Sequence, residues 1–195
     1  MTTELEIETH PLEPFLPENA KLLMMGSFPP PKNRWKMEFY YPNYQNDMWR
    51  MMGLLFFDDK NKFVQLSERK FDYDKITAFC TERGIALFDT ASAVRRLKDN
   101  ASDQFLEVVE QTDVERLLSR LPHCKAMATT GQKAAETVGN LLQCDVPSIG
   151  TFSHVEVNNR KLLFYRMPSS SRAYPLPLEK KADIYRIMFR QLEIL

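Results

Sequence analysis

Apolar and polar positions fall into blocks whose period and length separate strands from helices. "KLLMMGSF" (21–28) is a continuous apolar run stopped by Pro29, the pattern of a strand buried on both faces. "IALFDT" (85–90) and "CKAMATTG" (124–131) repeat that pattern. "SHVEVNNRKLLFYRMP" (153–168) predicts two strands joined by an Asn-containing turn. "MWRMMGLLFF" (48–57) is apolar on every side and predicts a buried helix. "KFDYDKITAFCTERG" (70–84) has helical spacing and closes on Gly84, a C-cap residue. "SDQFLEVVEQTDVERLLSRLP" (102–122) predicts helix in two pieces divided near Thr112-Asp113. "QKAAETVGNLL" (132–142) predicts another helix, and "LEKKADIYRIMFRQLEIL" (178–195) an amphipathic terminal one. Residues 1–19 are polar with three prolines and read as an arm over the surface. Residues 29–47 read as a long loop with one helical turn, and loops of that length in compact domains are functional or disordered.

Strands alternate with helices, so the pattern predicts an α/β domain over 20–195 with a mainly parallel central sheet covered on both faces. Ligands of such sheets bind at the carboxyl ends of the strands. The candidate ends are Gly26-Ser27-Phe28, Asp89-Thr90, Thr129-Thr130-Gly131 and the run Met167 to Arg172.

Composition narrows the classes. The chain has 195 residues, 44% of them hydrophobic, which suffices for one core. Lys plus Arg and Asp plus Glu balance at 26 each. That balance does not advertise a nucleic-acid binder, although a local basic patch is compatible with it. Cys80, Cys124 and Cys144 are widely spaced with no Cys-x-x-Cys pair, which argues against a zinc ribbon and for reduced thiols. The acidic N-terminus does not read as a signal peptide, and no apolar run has membrane-spanning length. A cytoplasmic monomer without metal or cofactor is the expectation.

Chemistry concentrates at the strand ends. In "MPSSSRAYP", Ser169, Ser170 and Ser171 supply hydroxyls and turn amides, and Arg172 supplies a fixed charge. The cluster suits a phosphate, and a plain Ser-rich turn explains it as well. "TTGQKAA" predicts a strand-to-helix bend at Gly131 with helix amides free for an anion beside Lys133. "EFYYPNYQNDMW" combines aromatic faces that stack bases with amides that bond base edges; its alternative is a plug fastening the loop to the core. Asp89 ends an apolar strand, where a carboxylate is costly without a partner or a task. His10 and His123 read as surface residues, whereas His154, beside "GTFSH", keeps a place near the site. No Gly-x-Ser-x-Gly elbow is present, so a small-ester or nucleotide hydrolase using the serines is the weakest reading.

The ordered set of motifs resembles the uracil-DNA glycosylase superfamily, nearest its hypoxanthine-DNA (deoxyinosine) branch and then the mismatch-specific uracil/thymine branch. The first motif stands as Gly26-Ser27-Phe28-Pro29-Pro30, followed by Tyr40-Tyr41-Pro42-Asn43-Tyr44-Gln45-Asn46-Asp47-Met48-Trp49, and the second as Met167-Pro168-Ser169-Ser170-Ser171-Arg172-Ala173. "IALFDTASAVRR" and "TTGQKAA" are similar to family counterparts, so the resemblance runs from about residue 20 to 190. It implies a three-layer α/β/α sandwich on a four-stranded sheet. It also implies a monofunctional glycosylase that flips a deaminated base out of DNA, hypoxanthine first and uracil second.

Residue by residue, the resemblance gives Gly26, Ser27 and Phe28 to the base pocket and Tyr41 to base stacking. Asn46 matches the catalytic amide; on chemistry alone it can orient a water but not readily deprotonate it, a task for Asp47 or Asp89 to supplement. Ser169, Ser170 and Ser171 match serines that hold phosphates around the flipped nucleotide, and Arg172 lies where the superfamily has the loop that wedges into the DNA; Lys133, from its place at the helix start, is expected to contact DNA as well. Phe28 stands where uracil-specific branches keep a water-activating Asp or Asn, and Met167 stands where several branches keep His or Asn. These replacements predict a slow enzyme or one relying on a good leaving group. They also support the alternative, a nucleic-acid-binding relative with little or no catalysis.

Overall fold

The structure is a computed structural model that describes residues 5–98 and 102–195. In chain order its elements are β1 (Ile7–Thr9), β2 (Leu22–Gly26), a 3-10 turn (Lys32–Arg34), α1 (Met48–Phe57), β3 (Val64–Gln65), β4 (Lys70–Phe71) and α2 (Tyr73–Arg83). They continue through β5 (Ile85–Asp89), β6 (Ala91–Arg96), a second 3-10 turn (Asp103–Phe105), β7 (Leu106–Gln111), α3 (Val114–Ser119), β8 (Ala126–Thr130), α4 (Gln132–Leu142), β9 (Thr151–Val157), β10 (Arg160–Met167) and α5 (Leu178–Gln191).

Every residue of β2, β5 and β8 is buried. Successive strand side chains point to opposite faces, so these three apolar runs are covered on both sides. They pair in parallel with β10 in the order β5-β2-β8-β10, and β9 closes the edge antiparallel to β10. The main sheet therefore has five strands, where the motif resemblance implies four. The fifth follows from the turn: Asn158 and Asn159 both take positive φ (53° and 58°), the two-residue hairpin geometry that lays β9 against β10. Helices α2, α4 and α5 pack on β5, β8 and β10, and α1 packs against α5.

A second sheet, β1-β6-β7, corrects the helix expected over 102–122. Residues 106–111 form β7 and pair with β6, with Val94 opposite Val108. Only Val114–Ser119 is helical, started by the Asp113 carboxylate accepting from Arg116 N–H at 2.9 Å. A partner strand 10 to 20 residues upstream outweighed the local helical spacing. The arm is tied into this sheet: β1 pairs with β6, His10 N–H donates to Ser92 C=O (2.8 Å), and Phe15 bridges Leu87. Among the described residues no helix is long and apolar enough to cross a membrane.

Candidate active-site cleft

The carboxyl ends of β2, β5, β8 and β10 open onto a cleft of about 1230 Å³. It is lined by all eleven residues singled out from the sequence: Gly26, Ser27, Phe28 and Tyr41; Asn46 and Asp89; Lys133, Ser169, Ser170, Ser171 and Arg172. Gly131, at φ 101°, bends β8 into α4 and brings that helix's first turn to the same rim.

Two loops distant in sequence are laced together to make one wall. Asp47 N–H donates to Ser170 C=O (2.8 Å), Arg172 N–H donates to Gln45 C=O (3.1 Å), and Asn46 bridges Ser171. The Asp47 carboxylate accepts from Arg172 Nε (2.9 Å) and from Lys181 Nζ (3.4 Å), and the Lys181 side chain is 0% exposed. Lys181 Nζ also donates to Ser171 C=O at 2.8 Å. Asp47 thus fastens the wall, and it is not among the residues that line the cleft. Arg172 presents only the remainder of its guanidinium outward.

Asn46 faces the cleft with a defined polarity. Its Oδ1 accepts from Met48 N–H (2.9 Å), opening α1. The Nδ2 hydrogens make no bond to the described residues, so the amide has its donor free for a ligand while Oδ1 is engaged at the helix start. Tyr41 sits at φ 51°, a conformation uncommon outside glycine, and bonds Thr130 Oγ1 through its hydroxyl at 3.0 Å. Burial, together with the charge of Asp89, pushes its phenol pKa up, so the hydroxyl stays neutral.

Phe28 contributes no polar group. Its ring packs with Ala91, Val94 and Leu106 between the two sheets and meets the His10 ring edge-on at 5.3 Å. Ser169 Oγ accepts from Ser171 N–H and Ser171 Oγ accepts from Ala173 N–H, both at 3.2 Å, which rigidifies the loop.

Asp89 is 6% exposed, with Oδ2 at 2.8 Å from His10 Nε2. Its Oδ1 accepts no hydrogen bond from the described residues and lies 2.8 Å from where a Gly26 Cβ would stand. Only glycine at that position leaves room for the carboxylate. His10, expected at the surface, is buried, with a side chain 4% exposed. No local pattern marks it, because its partner lies 79 positions away. His154 lies exposed on β9, outside the cleft lining.

Asp103 is a cleft residue that sequence reasoning passed over inside an expected helix. Burial raises its carboxyl pKa, opposed by a hydrogen bond from the Ser27 side chain and reinforced by the charge of Asp89. Among the described residues no cluster of three or more His, Cys, Asp or Glu is arranged to hold a metal ion.

Neither protein-family models nor curated proteins match the chain. Among solved structures, it is similar to a Methanosarcina acetivorans protein studied by solution NMR and provisionally named a uracil DNA glycosylase. The match has 21% identity and a TM-score of 0.65, and covers 96% of this chain and 99% of the other. The two chains share a fold over essentially their whole lengths.

Proposed function

We propose that the protein is a DNA glycosylase acting on a deaminated base flipped into the cleft. The observation that carries this reading is the meeting of Tyr41, Asn46 and Asp89 at one set of strand ends. An aromatic face, an amide donor and a carboxylate are the groups that extraction and hydrolysis of a base require. The shared fold with the archaeal protein supports it.

In this reading Tyr41 stacks on the flipped base and Asn46 Nδ2 donates to a base carbonyl. That donor suits the 6-oxo group of hypoxanthine, the preferred substrate, and also a carbonyl of uracil. Negative charge gathers on that oxygen as the bond to the sugar breaks, so the donor strengthens toward the transition state. Asp89 Oδ1 takes the proton of the attacking water. The water oxygen bonds to C1′, the C1′–N bond breaks with its electron pair leaving on the base, and the base nitrogen takes a proton from solvent. Ser169, Ser170, Ser171, Arg172 and Lys133 hold the flanking phosphates, with the first turn of α4 adding amides. Phe28 is a structural wall, and the acid that other branches place there comes instead from the end of β5.

The test is incubation with duplexes carrying one deoxyinosine, deoxyuridine or G·T mismatch, followed by alkaline cleavage of abasic sites. Scission that Asn46→Ala abolishes supports the reading; absence of scission on all three duplexes refutes it. A second reading, nucleic-acid binding without catalysis, is favoured by the apolar packing of Phe28. Tight, salt-sensitive binding with no scission is its outcome.

A further inference from the structure

The arm's His10 has no place in the chemistry described so far, yet it is among the most constrained side chains in the molecule. Its ring lies between Phe28 (centroids 5.3 Å apart) and Phe88 (4.5 Å), with Tyr40 at 6.2 Å. Nδ1 is held by the Leu12 backbone, with the carbonyl at 3.0 Å and the N–H at 3.1 Å. Nε2 faces Asp89 Oδ2 at 2.8 Å, and because a carboxylate oxygen accepts, Nε2 is the donor of that bond. The ring plane is therefore set by three aromatic neighbours and the Leu12 backbone, and Nε2 spends its proton on one oxygen of Asp89.

We propose that His10 is a positioning residue that holds Asp89 with Oδ2 turned away from the cleft and Oδ1 presented to the attacking water. The role rests on the glycosylase reading for its reaction. The physical case is independent of the substrate. Asp89 hangs at the end of a buried strand, Gly26 leaves only room for a carboxylate on one side, and a single bond from His10 decides which oxygen is spent. A carboxylate that must accept a proton gains most from a fixed direction, because misplacement of a reacting group by about 1 Å costs roughly 100-fold in rate. The arrangement also gives the N-terminal arm a task. β1 and the Phe15–Leu87 bridge hold residues 7–15 against the domain, and His10 lies between those two attachments.

The test compares His10→Ala, His10→Asn and His10→Gln by single-turnover cleavage of the deoxyinosine duplex, by duplex affinity and by thermal melting. A Gln amide nitrogen reaches the position of Nε2, whereas an Asn amide reaches only that of Nδ1. The expected result is a rate loss of roughly 10- to 100-fold for Ala and Asn, the range seen when the partner orienting a reactive ligand is removed. Duplex affinity stays unchanged, and Gln recovers most of the rate. Equal rates in Gln and Asn, or affinity falling in step with rate, overturn the proposal even if Ala does not fold. Independently of turnover, the imidazole ¹⁵N spectrum of the wild-type protein carries its proton on Nε2, and that proton's resonance moves in Asp89→Asn. An Nε2 that carries no proton overturns the His10–Asp89 linkage. A wild-type protein with that Nε2 signature but no scission on any duplex overturns the glycosylase reading, and the catalytic role of His10 with it.

Discussion

Asp47 and Arg172, 125 positions apart in the chain, are joined through Oδ1 and Nε at 2.9 Å, with Lys181 buried on the second carboxylate oxygen. The pair fastens the loop that follows the first motif to the loop that follows β10. Removing Asp47 leaves a lysine with no exposure without its charged partner, holding only the Ser171 carbonyl. Asp47→Ala is expected to cost about 3–5 kcal/mol, as when one partner of a buried ion pair is deleted. For a chain of this size that lowers Tm by roughly 10 °C. Arg172, with a side chain 42% exposed, is expected to cost about 1 kcal/mol or less on truncation. Thermal denaturation of the two variants distinguishes them.

Asn46 offers the cleft its Nδ2 donor, with Oδ1 engaged by Met48 N–H. Asn46→Asp keeps that helix-starting acceptor but turns the outward atom into a second acceptor facing a base carbonyl. Under the glycosylase reading it is expected to be as poor as Asn46→Ala, each losing roughly 100-fold or more in single-turnover rate with deoxyinosine. Asn46→Asp should melt at or above the wild-type temperature, because a carboxylate caps α1 at least as well. Activity retained by the Asp variant would remove the donor role.

Tyr41 separates stacking from anchoring. Tyr41→Phe keeps the ring and loses the bond to Thr130, so stability should fall by about 0.5–1.5 kcal/mol with duplex cleavage largely retained. Tyr41→Ala removes the ring, and lesion binding should weaken by roughly 10- to 100-fold, matching ~1–3 kcal/mol of stacking. Equilibrium binding to a deoxyinosine duplex, compared with an undamaged one, reads the difference.

Gly26→Ala places a Cβ 2.8 Å from Asp89 Oδ1. The carboxylate must turn, so the overpacked variant is expected to lose about 1–3 kcal/mol of stability. Its cleavage rate should fall as far as that of Asp89→Asn. Melting and single-turnover cleavage check it together, and a normal rate would show that Asp89 Oδ1 is not the reacting oxygen.

Burial raises the Asp103 carboxyl pKa. The folded protein then binds more protons than the unfolded chain between the ordinary aspartate value and the raised one. Asp103 consequently costs stability above that window, and the cost fades as pH falls through it. Asp103→Asn should raise Tm at pH 7 and lose its advantage near pH 3.5. Melting curves of both proteins at the two pH values test the sign.

Much of the fold is legible from local pattern. The runs that became β2, β5 and β8 are short, fully buried stretches ended by Gly, Asp or Thr, the pattern of a strand covered on both faces, and β10 is marked instead by the Asn turn before it and Pro168 after it. Helices α1, α2, α4 and α5 lie where periodicity and Gly84 put them. β7 was hidden because its Val-Val-Glu-Gln segment satisfies a helical period as readily as a strand one, and β6 decides the matter. The site divides in the same way. Strand ends and loop composition pointed to the eleven residues that line one cleft. Nothing local points to Asp103, set in a 3-10 turn, or to His10, set in a proline-bounded arm.

The sequence alone determined which segments are buried on both faces and therefore where strands end and polar chemistry begins, because hydrophobic periodicity is a local property. Tertiary structure decided the partners of the charged groups. It committed Asp47 to Arg172 and Lys181, left Asp89 Oδ1 without a hydrogen-bond donor among the described residues, engaged Asn46 Oδ1 with a backbone amide and drew the His10 side chain out of solvent. Those outcomes depend on which distant side chain arrives within hydrogen-bond distance, and burial makes each of them costly to change.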